Sequence, residues 1–151
     1  MKEKEKKIII ILIVVLIVID QILKFFLYNS NIQITTENGW GIGIINNTKT
    51  ENNLVYILIS ILAVMALVRY IKSNNTFIKM NSRVILSFSI AGAISNAIDR
   101  VWNGGTINYI IIPNFSALNL SYVYFIITWI GMAVILTKYT SDRIKEKKNK
   151  D

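Results

Sequence analysis

From Ile8 to Ile19 the chain is an unbroken run of isoleucine, leucine and valine. A helix at a protein–water boundary needs a polar stripe and a half-covered strand needs polar alternation, and this run offers neither. Apolar residues make up 53% of the 151-residue chain, and they come in blocks. Four stretches have the composition of a membrane span, at about 8–28, 52–71, 84–102 and 122–138, followed by a basic tail at 139–151. A span takes ~20 residues with a range of ~17–25. The expected fold is a single domain, an all-α bundle of four transmembrane helices with a small extracellular β-sheet.

Charge orients this arrangement. The net charge is +8, a value that could suggest nucleic acid, but the basic residues sit in short runs beside the apolar segments. Lys2, Lys4, Lys6 and Lys7 precede the first span. Arg69, Lys72, Lys79 and Arg83 join the second to the third. Lys138, Arg143, Lys145, Lys147, Lys148 and Lys150 follow the fourth, placing 14 of 17 basic residues on one side. The positive-inside rule makes that side the cytoplasm, with both termini there, and assigns the charge to the bilayer rather than to nucleic acid. No small-residue cleavage site follows the first segment, so it reads as a span and not as a removable leader.

Two links then face outward. In the first, Ile32-Gln33-Ile34-Thr35 alternates like a strand and Asn38-Gly39 is a hairpin-type pair, with Gly41 and Gly43 in a return strand. In the second, Thr106-Ile107-Asn108-Tyr109-Ile110-Ile111-Ile112 is one β-like segment ended by Pro113. The chain has neither Cys nor His, which removes thiolate chemistry, the commonest general base and the commonest metal ligand. No metal or cofactor motif is present.

Polar residues inside spans cost ~2.5–3.5 kcal/mol each on insertion scales. At ~1.5 Å rise per residue, Asp20 lies roughly 18 Å above the start of its span, with Asn96 and Asp99 roughly 20 and 24 Å above Arg83. Tyr122 lies roughly 24 Å from Lys138 on the same basis. The marks therefore share one depth in the outer part of the bilayer. Asp20 and Lys24 stand four apart on one face, and Asn96 stands three and four residues before Asp99 and Arg100. Such residues either tie helices together as ion pairs or line a polar pocket opening outward.

Four stretches resemble the lipoprotein signal peptidases, the signal peptidase II family. Asp20-Gln21-Ile22-Leu23-Lys24 is similar to the family's D-Q-x-x-K. Asn38-Gly39-Trp40-Gly41-Ile42-Gly43 resembles N-x-G-A-A-F/W-G, with Gly39 as its Gly and Glu37 at its Asn. Gly92-Ala93-Ile94-Ser95-Asn96-Ala97-Ile98-Asp99-Arg100 resembles G-A-x-G-N-x-x-D-R, with Ser95 for a Gly. Leu118-Asn119-Leu120-Ser121-Tyr122 aligns with F-N-x-A-D. The resemblance implies a four-helix bacterial inner-membrane aspartic peptidase that cuts prolipoproteins before a lipid-modified cysteine. It implies substrate contacts at Asp20, Lys24, Gly39, Asn96, Asp99, Arg100 and Asn119. The implied partners are the lipid bilayer, a lipid-modified prolipoprotein or its signal peptide, and a globomycin-like inhibitor.

The departures bear on catalysis. The family's two catalytic aspartates lie in V-V-D-F-I and F-N-x-A-D, and the matching positions here are Asn108 and Tyr122. An aspartic dyad pairs two carboxyls so that one serves as base and the other as acid. An amide cannot accept a proton from water, and a phenol with an ordinary pKa of ~10 is a poor base near neutral pH. No Asp or Glu lies between Arg100 and Asp142. Three functions stay open: a non-cutting binder acting as decoy, chaperone or immunity factor; a peptidase rewired onto Asp20 and Asp99; and a subunit of a larger complex, with Trp40, Trp102 and Trp129 as packing aromatics.

Overall fold

The computed structural model describes residues 3–28, 35–37, 51–72, 80–112 and 116–148. The first apolar run forms helix α1, Glu3–Tyr28, whose 26 residues reach about 39 Å and exceed a ~30 Å bilayer core. Helix α2 spans Glu51–Lys72, α3 Met80–Asn103 and α4 Leu120–Lys148. Three of these, α1, α3 and α4, are long and apolar enough to cross a membrane, whereas the described apolar run of α2, Ser60–Arg69, is shorter. The helix α4 runs past the expected end of its span, so residues 139–148 extend it as helix.

Helix α3 is the hub and packs against each of the other three. Its sequence explains this. Ser82, Ser87, Ser89, Ala91, Gly92 and Ser95 are all buried, and small side chains let neighbouring backbones approach closely where no water drives association. One core group joins Ile9 of α1 to Leu86 and Ile90 of α3. A second joins Leu16, Ala91 and Tyr124. The hydroxyls close polar gaps between helices: Thr128 Oγ1 donates to Ile85 O at 3.0 Å and Tyr124 Oη to Leu16 O at 3.1 Å. Arg83 meets Glu5 at 3.1 Å, about 22 Å along α1 from Asp20. Outward from the core, isoleucines, valines and Trp129 face the surroundings, Trp129 being 79% exposed, as expected of a lipid-facing surface.

Helix α3 ends at Gly104, whose φ of 72° is the left-handed conformation that favours glycine after a helix. The chain then re-enters as strands β2, Thr106–Asn108, and β3, Ile110–Ile112. The expected single β segment is thus divided at Tyr109. Strand β2 pairs antiparallel with β1, Thr35–Glu37, with Thr35 opposite Asn108. Strand β3 pairs with β4, Ser116–Leu118, with Ile110 opposite Leu118. Among the described residues the expected small sheet is therefore two short antiparallel ladders. The division follows from burial: β2 is buried along its whole length, whereas β3 is exposed. The hairpin turn and return strand expected at Asn38-Gly39, Gly41 and Gly43 lie outside the described residues, as does Trp40.

Candidate functional site

Helices α1 and α3, strand β2 and the start of α4 converge on one buried polar cluster. At its centre Lys24 Nζ lies 2.6 Å from Asp20 Oδ2 and 2.7 Å from Asp99 Oδ2, and it donates to Asn96 Oδ1 at 3.1 Å. Its three N–H groups thus have three acceptors. Helical spacing builds this from the sequence. Lys24 stands one turn after Asp20, and Asn96 and Asp99 project from the same face of α3 one turn apart. Burial is complete: Asp20 is 0% exposed and Lys24 and Asp99 1% each. Charges taken out of water in this way persist only when paired and hydrogen-bonded.

Each carboxyl is further satisfied. Asp99 Oδ1 accepts from Gln21 Nε2 at 2.9 Å, and Asp99 Oδ2 accepts from the Ile107 backbone N at 3.2 Å, which anchors β2 to α3. Asp20 Oδ2 accepts from Ser95 Oγ at 2.5 Å and from Ser121 Oγ at 2.7 Å. The Tyr109 hydroxyl stands 3.5 Å from Asp20 Oδ1 and accepts from the Leu120 backbone N at 3.0 Å, satisfying a free donor in the first turn of α4. Burial pushes the Tyr109 phenol above its ordinary pKa, and the facing Asp20 carboxyl pushes it the same way.

Asn119 ties the second half together. Its Nδ2 donates to Asn96 Oδ1 at 3.0 Å, to Ile107 O at 3.0 Å and to Asn108 Oδ1 at 2.9 Å. Its Oδ1 accepts from the Tyr122 backbone N at 3.3 Å. Asn108 and Tyr122 are thereby held to the two ends of one amide side chain. Asn108 is fully buried on β2, and Tyr122 is half-buried on the first turn of α4, its ring edge-on to Phe125.

Of the residues singled out in the sequence, Asp20, Lys24, Asn96, Asp99 and Asn119 meet in direct contact, and Asn108 joins them through Asn119. Arg100 is buried beside Asp99 on α3, 6% exposed. Gly39 lies outside the described residues. Sequence reasoning passed over Gln21, Ser95, Tyr109 and Ser121 as contributors. A signal was available for three of them. Ser95, Tyr109 and Ser121 stand where G-A-x-G-N, V-V-D-F-I and F-N-x-A-D carry Gly, Phe and Ala, and all three hydroxyls turn toward Asp20.

Asp20 and Asp99 are the two carboxyls that come together here, as the rewired-peptidase reading requires. A working dyad needs them to face each other and a water molecule while sharing one proton. Instead the Lys24 ammonium is in contact with both, and neither is open to solvent. The arrangement is a closed ion triad that joins two helices. Among the described residues no group of three acidic side chains converges as metal ligands.

The family model described as signal peptidase (SPase) II matches residues 12–140. Two solved structures, each described as a bacterial membrane enzyme determined by the in meso method, are similar in fold. The one at 2.3 Å resolution has a TM-score of 0.74 and 24% identity, covering 90% of this chain and 91% of that one. The other, at 1.9 Å resolution, has a TM-score of 0.69 and 22% identity, covering 86% of this chain and 92% of that one. No curated protein matches the chain.

Proposed function

We propose, because this chain belongs to the signal peptidase II family, that it binds lipid-modified prolipoprotein signal peptides in the membrane and does not cut them. The one observation that carries this reading is the occupancy of the two dyad positions. Asn108 accepts from Asn119 Nδ2 and the Tyr122 backbone N–H donates to Asn119 Oδ1, and at these two positions the chain supplies an amide and a phenol. Neither relays a proton between water and a peptide nitrogen near neutral pH. The closed triad of Asp20, Lys24 and Asp99 argues against a substitute dyad.

The scaffold that receives substrate is kept. In this reading Asp20, Lys24, Asn96, Asp99, Arg100 and Asn119 shape the substrate pocket, with Gly39 in the loop above it. All four helices cross the bacterial cytoplasmic membrane, both termini are cytoplasmic and the pocket faces outward. A peptide inhibitor of the globomycin type would enter the same pocket. The protein then acts as a decoy, a chaperone or an immunity factor for lipoprotein processing.

Complementation tests this. The chain is expressed in cells depleted of their own signal peptidase II, and prolipoprotein processing is followed by gel mobility. Unprocessed prolipoprotein is the expected result, and restored maturation overturns the non-cutting reading.

A further inference from the structure

Helix α4 is longer than a bilayer core needs. Its 29 residues reach about 43 Å against a core of ~30 Å. Counted from Leu120, beside the buried polar cluster, Thr137 lies about 26 Å and Lys145 about 38 Å along the axis. The segment between them therefore straddles the far headgroup layer. Lys138 and Tyr139 stand there, residue types that anchor a helix at that depth. Two large apolar side chains flank them, Leu136 at 55% and Ile144 at 53% exposure. With Thr137, Thr140, Ser141 and Lys145 they line an open groove of about 630 Å³, a size that takes a lipid headgroup rather than a lone ion.

The polar groups of this groove divide into acceptors and donors. Thr137 Oγ1 donates to Ala133 O and Thr140 Oγ1 to Leu136 O, each at 2.9 Å. Both hydroxyls have spent their protons inside the helix and keep only acceptor lone pairs for a ligand. Lys145 offers three donors and no acceptor. Neither Lys145 nor Ser141 has a partner among the described residues. Arg143, by contrast, is engaged: it lies 3.7 Å from Glu146, and its Nε donates to the Tyr139 hydroxyl at 3.3 Å. Among the described residues no carboxyl lines the groove.

We propose that this groove binds an anionic phospholipid whose headgroup carries free hydroxyls, of the phosphatidylglycerol class. Helical side chains lean toward the helix N-terminus, which here brings the Lys145 ammonium back toward the bilayer and onto the phosphate. Ser141 is the second donor. Thr137 and Thr140 accept from the headgroup hydroxyls, while Leu136 packs on the first acyl methylenes and Ile144 on the headgroup carbons. Charge selects this occupant: residues 138–148 hold five basic against two acidic side chains, and a basic segment beside a span attracts anionic lipid. The threonines narrow the choice further. A bare phosphate brings acceptors alone, and an ethanolamine headgroup brings a second cation to Lys145. The contact needs only that α4 crosses the bilayer. Its place in the cytoplasmic leaflet rests on the topology proposed above, and prolipoprotein binding has no part in it.

The test uses the full-length protein in detergent, stripped of lipid and titrated with phosphatidylglycerol or with phosphatidylmethanol. The second lipid has the same charge and no headgroup hydroxyl. Bound lipid is counted by native mass spectrometry. The wild type is expected to bind phosphatidylglycerol roughly 2- to 10-fold more tightly, the range of one neutral hydrogen bond. Thr137→Val combined with Thr140→Val keeps the shape and is expected to bring that ratio to about 1-fold. Lys145→Met is expected to weaken both lipids by roughly 3- to 10-fold, the loss of one charge-assisted contact at an exposed site. Lys7→Met removes a lysine from the basic end of α1 and is expected to change either affinity by less than about 2-fold. All four side chains are exposed, so the variants keep the packed bundle. Equal affinity of the wild type for the two lipids overturns the assignment, as do equal losses in Lys145→Met and Lys7→Met. Dimers that carry no lipid would give the groove to a second copy of the chain and overturn it as well.

Discussion

Lys24 and Asp99 join α1 to α3 through a contact of 2.7 Å between side chains that are each 1% exposed. Asp20 is the third member, so one ammonium is shared by two buried carboxyls. Lys24→Met keeps the length of the side chain and removes the charge. It leaves both carboxyls without their cation, and breaking a buried pair in this way costs about 3–5 kcal/mol. Thermal unfolding of the purified variant in detergent is expected to show a large loss of stability or no folded protein.

Two serine hydroxyls donate to one oxygen of Asp20. Ser121→Ala removes one donor to Asp20 Oδ2, and Ser95→Ala removes another that also accepts from Gln21 Nε2 at 2.8 Å. Each change is expected to cost about 1.5–3 kcal/mol, the range for a hydrogen bond to a charged group. Because both act on one oxygen, the double variant is expected to lose more than the sum of the two, by about 0.5–3 kcal/mol. Additive losses in a thermal double-mutant cycle would show that the hydroxyls act separately.

Helices α3 and α4 are in close contact at Gly131, where an added Cβ would come 2.8 Å from Ile85 Cδ1 and 3.0 Å from its Cγ2. Gly131→Ala is expected to destabilise the bundle by about 1–3 kcal/mol through overpacking. Ile85→Val deletes the atom that clashes most, so Gly131→Ala combined with Ile85→Val is expected to recover part of the loss. An unfolding temperature no higher in the double variant than in Gly131→Ala would place the strain elsewhere.

Tyr109 sets an alkaline limit. Burial, then the Asp20 carboxyl, raises its pKa in the folded protein, so the folded value exceeds the unfolded value of ~10. A group raised on folding contributes stability that is fully present below the unfolded pKa and is lost as pH rises through the folded one. The unfolding temperature should therefore fall as pH rises beyond about 10. In Tyr109→Phe that alkaline decline should be shallower, although the variant is about 1 kcal/mol less stable at neutral pH because Leu120 N loses its acceptor.

Much of this was readable in the residues. The run from Ile8 to Ile19 announces a helix whatever surrounds it, and α1 follows directly. The convergence of Asp20, Lys24, Asn96 and Asp99 was readable because each pair lies one turn apart and a buried charge in a span needs a partner. Periodicity carries no such information for a serine. Ser95 and Ser121 read as ordinary small residues at a helix contact, and only the meeting of α1, α3 and α4 turns both toward one carboxyl. The break at Tyr109 escaped for a related reason. Residues 106–112 look uniformly β-forming, and the division arises because Asp99 and Asn119 capture β2 while β3 pairs with β4.

The most direct measurement is signal-peptide release from a purified diacylglyceryl-prolipoprotein in nanodiscs, with the wild type and the Asn108→Asp, Tyr122→Asp double variant assayed side by side. Tyr122 is the third residue of α4, where a carboxylate is favoured by the helix N-terminus, and Asn108 is held against Asn119. The expected result is no release by the wild type and measurable release once both acids are returned. Release by the wild type, sustained over many turnovers and lost in Asp20→Asn or Asp99→Asn, would contradict it.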